Sequence, residues 1–465
     1  MLKPKYTLRK FILVLTPLAL LLCGCPKRAE YARPALPVPE SWASPSAAGE
    51  GAAATLAPDI AWEEFFEDGN LRAVVRLALG NNRDLRSAAL AIEKAQALYR
   101  VQAVARRPVV NAQATGTVSQ VPFGDDSYLS QQYSVGLGVT AWELDFFGRV
   151  KSLTERALEQ YLATEQARAA TQVSLVYSVA AAYLNLAADR ENLALARRTL
   201  EAQQASYDLI RQSRDIGVNS DLDVSQARTQ VESARADIAQ YEGRLAQDGN
   251  ALQLLVGAPV PEELLPKDLT GIPAPRELGA GLSSEVLLRR PDILMAEHQL
   301  KGYQANIGAA RAAYFPRIAL TGGTGLVGTA LDELFHFGWN FAPQATLPIF
   351  DSGTRDANYR AAELDRDMAV AAYEKAIQTA FREVGDELSL RASLTERQAA
   401  QEALVEALRD TYRLSETRYD AGMDSYLSVL VAQRALYAAE QQLIAIRLAR
   451  ATNLVALYKA LGGGA

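Results

Sequence analysis

The chain has 465 residues, of which 49% are hydrophobic and 22% are charged, a balance typical of folded rather than disordered proteins. Its formal net charge of -6 argues against nucleic-acid binding, which requires a basic surface. The length is sufficient for two or more domains with a large buried core.

The first 24 residues have the layout of a secretory signal peptide, with basic residues followed by the apolar stretch FILVLTPLALLL. This stretch is too short to be a comfortable membrane span. The sequence LCGC that follows resembles the lipobox of bacterial lipoproteins, and Cys25 fits the lipidated position better than Cys23, which follows the bulky Leu22. Cleavage there would leave one cysteine and no internal disulfide. The alternative is an unlipidated protein with a free thiol.

A proline-rich segment, residues 25–60, follows the cleavage site. Its Pro26 stands where an aspartate is associated with inner-membrane retention, so the outer membrane is the expected location. Beyond residue 25 the sequence has no uninterrupted apolar run of 18 residues. A membrane crossing by the mature chain therefore requires β-strands.

The rest of the chain is an internal duplication, with a first repeat over residues 61–257, a linker over 258–283 and a second repeat over 284–465. Two early pairs of matching residues are 208 positions apart: Asp84 with Asp292, and Pro108 with Pro316. Later pairs are 205 positions apart: Gly148 with Gly353, Tyr207 with Tyr412, Gly217 with Gly422, Leu222 with Leu427, Val224 with Val429, and Gly257 with Gly462. Chance agreement in such register is improbable.

Each repeat starts with a helix and a pair of strands. The helix, of about 24 residues, ends at Pro108 or Pro316, because proline cannot continue the hydrogen-bond ladder. Two runs with alternating apolar residues then predict strands. These strands are placed at residues 109–118 and 133–144 in the first repeat and at 317–328 and 340–350 in the second.

A very long helix follows each strand pair. Residues 149–216 contain neither glycine nor proline, and residues 354–421 contain only Gly385. A continuous helix of this length would extend about 100 Å at roughly 1.5 Å per residue. The alternative is two helices of ordinary length with a turn between them, for example at Gly385.

The long helices end at Gly217 and Gly422, where glycine supplies the positive φ of a helix C-terminus. Small polar turns follow, and returning helices are predicted at residues 221–256 and 426–461. The predicted fold is therefore mainly α, with two repeats that each contain a strand pair and a very long antiparallel helical hairpin.

One stretch of the second repeat, LTGGTGLVG, contains the G-x-G-x-x-G pattern of dinucleotide-binding sites. The repeat aligns it with AQATGTVSQ, at the far end of a strand. No series of βαβ units follows this stretch, and Pro343 and Pro348 disfavour a central parallel strand. A dinucleotide-binding enzyme is therefore only a distant alternative.

Other signs of catalysis or metal binding are few. His298 and His336 have no second ligand at metal spacing, and the sequence lacks the common nucleotide-binding, zinc-protease and serine-hydrolase motifs. Asp145 and Asp351 precede the long helices, where a helix-start role is favoured over a carboxylate pair. We therefore predict no enzymatic activity, no cofactor and no metal site.

Four strands of about 10–12 residues are long enough to cross a bilayer at a tilt. Four strands cannot close into a barrel, however, and eight is the practical minimum in bacteria. Three chains would supply twelve strands.

The lipobox, AWELDFFGRV, RRPDILMAEHQL, LPIFDSGTR and YDAGMDSYLSVLVAQRALYAAEQQL together resemble the outer-membrane efflux proteins of the TolC and OprM kind, in the lipid-anchored NodT branch. The resemblance implies a homotrimer with a twelve-stranded barrel in the outer membrane of a Gram-negative bacterium, over an α-helical periplasmic tunnel. It also implies a periplasmic adaptor and an inner-membrane transporter, of RND or ABC type, as partners.

The resemblance also implies sites. The adaptor would dock on the two hairpin turns, at Gly217, Val218, Ser220, Leu222, Gly422, Met423, Ser425 and Leu427. The aperture would be lined by Leu427, Val431 and Arg434. Relatives commonly carry aspartate where this chain has Val431, so the ring would be apolar and would gate by sterics and dewetting. Asp424 would either supply charge or cap the turn.

Two functions follow from these expectations. The first is a passive exit duct for drugs or other small molecules. The alternative is a lipid-anchored periplasmic coiled-coil scaffold, in which the strand pairs form a small soluble sheet.

Overall fold

The computed structural model describes residues 31–42, 57–124, 126–276, 278, 283–329 and 336–464. The predicted signal peptide and the lipidation at Cys25 lie outside the described residues. The chain divides into two compact units. The first contains residues 93–163 and 296–373 with the described residues 31–35, and the second contains the described parts of 36–92, 164–295 and 374–465.

From the helix before the strand pair onward, the order of elements is the same in both halves of the chain, and the described part of the first half has two additional α-helices before that point. The first half contains α1 (Trp62–Phe65), α2 (Gly69–Asn81), α3 (Arg83–Val104), β1 (Val110–Phe123), β2 (Asp126–Glu143), α4 (Arg149–Asp215) and α5 (Asp221–Val256). The second contains α6 (Pro291–Ala312), β3 (Arg317–Gly328), β4 (His336–Thr346), α7 (Thr354–Asp420) and α8 (Tyr426–Ala460). The predicted fold class, a strand pair and a long helical hairpin in each repeat, is confirmed.

The long helices α4 and α7 are each unbroken over 67 residues. Gly385 therefore does not divide α7, contrary to the alternative of two shorter helices. The ring of Trp42 lies over this glycine, and a Cβ atom there would be 3.5 Å from Trp42 Cδ1. The indole N–H of Trp42 donates to the carbonyl oxygen of Phe381 at 2.8 Å, and the two rings stack.

Acidic residues start both long helices, as predicted. The carboxylate of Asp145 accepts from the backbone N–H groups of Val150 and Lys151, at 3.0 and 2.7 Å. Asp351 accepts from the backbone N–H groups of Gly353 and Arg355, both at 3.2 Å. These bonds satisfy donors that have no partner within the first turn of a helix.

The four strands form one antiparallel sheet in the order β1-β2-β3-β4. The hairpin of β1 and β2 is longer than predicted, since β1 continues to Phe123 rather than to residue 118, and β2 begins at Asp126 rather than at residue 133. Pro122 and Gly124 indicated a loop in the sequence. In the structure Pro122 pairs with Ser127, and Gly124, at a φ of 67°, makes the turn tight.

Strand β4 covers His336–Thr346 instead of the predicted residues 340–350. The strand ends early because Pro348 has no N–H for a ladder bond. The chain then turns through Ser352 and Gly353, which have positive φ angles of 55° and 82°, into the start of α7.

The C-terminal ends of the returning helices make equivalent contacts within the second unit. Gly257 and Gly462 follow α5 and α8, and both have positive φ angles, of 74° and 85°. The side-chain amide of Asn82 donates to the carbonyl oxygen of Leu255 at 2.8 Å, and the guanidinium of Arg290 donates to that of Ala460 at 2.6 Å. Carbonyl groups that a helix end leaves unpaired are thereby satisfied in both repeats.

Candidate functional site

The sheet has one apolar and one polar face. The apolar face carries Val110, Val118, Val135, Leu137, Leu326, Phe337, Trp339 and Phe341, all of which are exposed. Trp339 and Phe337 are 75% and 74% exposed. A contiguous apolar surface of this kind marks contact with another protein or with lipid.

The opposite face of the sheet is polar and carries no charge in the middle of its strands. Gln113 donates to the Thr140 hydroxyl at 2.8 Å, and the hydroxyl groups of Thr115 and Ser134 lie 2.6 Å apart. Hydroxyl and amide groups of this kind are compatible with water. The polar face therefore suits contact with water, whereas the apolar face suits contact with lipid or protein.

The glycines of LTGGTGLVG allow β2 and β3 to approach closely. Gly136 lies opposite Gly325, and Gly138 lies opposite Gly323. A Cβ atom on Gly325 would lie 2.5 Å from the Cα atom of Gly136, and one on Gly136 would lie 2.8 Å from that of Gly325. The motif is thus part of an antiparallel strand, and the strand-to-helix turn that a dinucleotide site needs is not formed at these glycines.

The described sheet ends at β1 and β4, each of which pairs with a neighbouring strand on one side only. The outer side of each edge strand presents backbone donors and acceptors. Both edges are therefore open to pairing with a further strand.

The first hairpin turn joins α4 to α5. Gly217, at a φ of 82°, donates its backbone N–H to the Arg214 carbonyl oxygen, and Val218 donates to that of Ser213, both at 2.9 Å. This is the Schellman arrangement of a helix C-terminus. Ser220 then starts α5 with a capping box, in which its hydroxyl and Asp223 each accept from the other's backbone N–H.

The second turn, between α7 and α8, repeats the Schellman bonds, from Gly422 to Tyr419 and from Met423 to Arg418. The returning helix α8 starts differently from α5, because Ser425 makes no side-chain capping bond. The carboxylate of Asp424 instead accepts from the Arg418 guanidinium at 2.5 and 3.2 Å. That hydrogen bond and charge lower the pKa of Asp424, so its charge is present but already paired.

The two turns are held together by a core that the sequence did not reveal. Ile210, Ala227, Tyr426, Val429 and Leu430 are buried in one cluster, with Tyr207, Val224, Tyr412 and Tyr419 packed against it. The side-chain amide of Asn219 donates to the Tyr419 hydroxyl at 3.1 Å. Asn219 aligns with Asp424 in the repeat, so duplicated positions have acquired different contacts.

Beyond this core, both turns expose apolar side chains. Val218, Leu222 and Met423, all predicted docking residues, are exposed, and Ile216 is more exposed still, at 78%. Ile216, whose repeat equivalent is Ala421, was not among the predicted docking residues, which began at Gly217. Exposed apolar side chains of this kind suit a contact with another protein.

The predicted aperture residues share one helix. Leu427 and Val431 lie four residues apart on an exposed face of α8. Arg434 is turned toward α5, where its Nε–H donates to Gln230 Oε1 at 2.8 Å. Two further bonds link α8 to α5, from Tyr437 to Asp237 and from Gln441 to Tyr241, both at 3.0 Å.

Within the described part of the chain, no helix combines the length and apolarity that a bilayer crossing requires. The same residues contain no group of three histidine, cysteine or acidic side chains that could hold a metal ion. His298 is instead bonded to Glu159, with 2.7 Å between Nδ1 and Oε2.

The model of the family described as "Outer membrane efflux protein" matches residues 74–258 and 282–463. The chain belongs to the outer membrane efflux protein family. The two matched stretches contain the two strand pairs and the two helical hairpins. This is a family of outer-membrane efflux channels and not of enzymes.

Relatives and solved structures agree with this membership along nearly the whole efflux protein. The "Probable efflux pump outer membrane protein TtgC" of Pseudomonas putida is 46% identical, over 98% of this chain and 96% of its own length. A membrane protein from Pseudomonas aeruginosa has a TM-score of 0.88 and 41% identity, over 95% and 98% of the two chains. The open state of the Neisseria gonorrhoeae MtrE outer membrane channel has a TM-score of 0.84 and 38% identity, over 95% and 98%.

Two carboxyl groups face each other between α4 and α5. In its protonated form Asp248 on α5 can donate to Asp189 on α4, whereas in the ionised form its Oδ2 is buried without a hydrogen-bond partner among the described residues. Burial, followed by the charge and hydrogen bond of Asp189, raises the pKa of Asp248 to about 6, against the opposing effect of Arg244. In the second repeat the equivalent residue is Asn453, whose amide donates to Glu387 Oε2 at 2.5 Å.

We expect Asp248→Asn to stabilise the efflux protein at neutral pH. A carboxyl whose folded pKa lies above its unfolded value favours folding when protonated, so the stability of the native chain falls as the pH rises from about 4 to about 6. The variant has no carboxyl group at this position, so its stability does not fall over this pH range. Thermal unfolding followed by circular dichroism should show a higher midpoint than the native protein at pH 7.5 and a smaller difference near pH 4. An equal difference at both pH values would contradict the assignment.

Proposed function

We propose that this chain is the passive exit duct of a tripartite efflux pump and that three identical chains form the duct. The proposal is carried by the sheet, which has an exposed apolar face, a polar opposite face and two edge strands paired on one side only. A sheet within a bilayer has no free edge, and four strands are too few to close. Three copies supply twelve strands, with the apolar face toward lipid and the polar face toward the lumen.

The proposed partners are a periplasmic adaptor and an inner-membrane transporter of RND or ABC type. The relative TtgC, named as the outer membrane protein of an efflux pump, supports such a partnership. We assign the adaptor contact to the two turns, because they expose Val218, Leu222 and Met423. Cys25 would carry the lipid anchor, and the duct would conduct drugs or other small molecules without catalysis.

Conductance of the purified protein in planar bilayers tests the channel. Stable pores are the expected result. Well-folded protein that forms no pores would favour the lipid-anchored scaffold, in which the sheet stays in water.

Cysteine cross-linking in intact cells tests the docking assignment. Ser425→Cys is the better probe, because Ser425 makes no capping bond. Ser220→Cys would also remove a capping box, a loss of about 1 kcal/mol. Cross-linked adaptor is expected from the turns, and failure to capture any periplasmic partner from either position would count against this assignment.

We expect Val431→Asp to make the pores cation-selective. The change places one carboxylate per subunit on the exposed face of α8, and a ring of carboxylates favours cations. The reversal potential in a potassium chloride gradient measures the effect. Val431→Thr has nearly the same shape without charge and should leave the reversal potential unchanged. A Val431→Asp pore with unaltered selectivity would remove this residue from the aperture.

A further inference from the structure

A cleft of about 410 Å³ lies where β2 passes into α4, in the first unit. Its apolar wall includes Phe146, Phe147 and Ile307. The Phe147 ring is fixed by stacking on Phe315, with centroids 4.8 Å apart, whereas Phe146 is 59% exposed. The cleft therefore offers an apolar surface that the described residues leave open.

The acidic groups that line the cleft are already engaged. Both carboxylate oxygens of Asp145 accept backbone N–H groups at the start of α4. Glu363 accepts from Arg360 at 3.2 Å, and Glu155 also has an interaction partner. Asp145 keeps its negative charge, because its donors are neutral backbone N–H groups, whereas Glu363 and Glu155 have side-chain or other partners of their own.

The cations of the cleft divide into two groups. Arg366 is bonded to Asp367 at 2.6 Å, and Arg311 has a partner. The side chains of Arg106 and Lys151 make no hydrogen bond or ion pair with any residue that the structure describes. The two uncommitted cations outnumber the one carboxylate without a cationic partner among the described residues of the cleft, Asp145, so the cleft has a net positive charge, which suits an anionic group.

The position of the cleft along the sheet indicates the source of that anion. Val109 and Val110, three and four residues after Arg106, are exposed at the start of the apolar face, at 62% and 63%. The indole N–H of Trp142 donates to the Arg106 carbonyl oxygen at 3.3 Å. Tryptophan is enriched at membrane–water interfaces, where lipid headgroups lie.

We propose that this cleft binds a phospholipid of the inner leaflet, with the lipid phosphate between Arg106 and Lys151 and an acyl chain along Phe146. The proposal rests on the function proposed above, since it requires the sheet to cross the membrane. A volume of about 410 Å³ accommodates a headgroup and the first part of one chain. Basic pockets at the edge of a membrane protein recognise lipid headgroups in this way.

Native mass spectrometry of delipidated protein tests the proposal, with dioleoyl phosphatidylglycerol and dioleoylglycerol as probes. The two lipids share their acyl chains and differ by the phosphate group. We expect one phosphatidylglycerol per subunit and an affinity for dioleoylglycerol that is about tenfold weaker. The double variant Arg106→Ala with Lys151→Ala should weaken phosphatidylglycerol binding about tenfold, whereas Arg366→Ala, which removes a paired cation of the same cleft, should change it less than about twofold.

Equal affinity for the two lipids, or unchanged binding by the double variant, would overturn the proposal. So would efficient cross-linking of Phe146→Cys to a neighbouring copy of the chain, because the cleft would then be a contact between subunits. Conductance of the same preparations separates this inference from the proposed function. Pores without phosphate preference would refute the lipid site alone, and folded protein without pores would refute the duct.

Discussion

Gly325→Ala should prevent assembly of the efflux protein in the outer membrane. The added Cβ would lie 2.5 Å from the Cα atom of Gly136 and would also collide with the Val135 carbonyl oxygen. These are backbone atoms of the paired strand, so relief requires separation of β2 and β3. Overpacking typically costs about 1–3 kcal/mol, and we expect the upper end of this range in each subunit because the clash is with backbone atoms. Because the sheet of every subunit would be affected, we expect loss of heat-resistant oligomer on gels and of protein in outer-membrane fractions.

Gly322→Ala is the matched control, in the same strand and three residues away. A Cβ there would lie 3.4 Å from the Asn340 carbonyl oxygen and 3.8 Å from Phe341 Cδ2, which is ordinary contact. Gly322→Ala should therefore assemble at the native level. Equal assembly of both variants would mean that β2 and β3 are not held at this separation.

Arg290→Met should destabilise the second unit. Arg290 is 7% exposed, and its guanidinium bonds to Asp292 at 2.7 Å, to Glu383 at 3.0 Å and to the Ala460 carbonyl oxygen at 2.6 Å. Burial acts to raise the pKa of Asp292, but the hydrogen bond and charge of Arg290 outweigh it and lower the pKa. Without Arg290, Asp292 and Glu383 lose their counter-charge and the Ala460 carbonyl group loses its donor. Because the two carboxylates are 41% and 40% exposed, the cost is on the order of 2 kcal/mol, below that of a fully buried pair.

The neighbouring residue supplies the control for this prediction. Arg289 is bonded to Asp59 at 2.5 Å, but both side chains are nearly half exposed. Arg289→Met should therefore leave the midpoint of chemical unfolding nearly unchanged, because exposed ion pairs contribute little. If the two variants unfold at the same denaturant concentration, the bonds of Arg290 do not stabilise the second unit more than the exposed ion pair of Arg289 does.

Much of the fold could be predicted because the duplication constrains it twice. Gly217 and Gly422 occupy equivalent helix ends, with positive φ angles of 82° and 70° and the same Schellman bonds. The long helices were predictable because they lack helix-breaking residues over almost their whole length. Strand ends were less predictable, since Pro122 and Gly124 indicate a loop whether the hairpin is tight or open.

The contacts that distinguish the two repeats could not be predicted from one sequence. Asn219 and Asp424 are equivalent by position, yet the first bonds to Tyr419 of the other turn and the second to Arg418 of its own. Which partner each side chain meets depends on how the hairpins pack, and no local pattern encodes that. The close approach of the glycines of β2 and β3 could not be predicted for the same reason, because each glycine faces a strand that is distant in the sequence. The docking and aperture assignments stay predictions.

We infer that identical chains complete the four-stranded sheet of each subunit. The decisive experiment is extraction in mild detergent followed by native mass measurement. We expect a complex with three times the mass of the mature chain. Folded single subunits that remain soluble in water after removal of any lipid would contradict it.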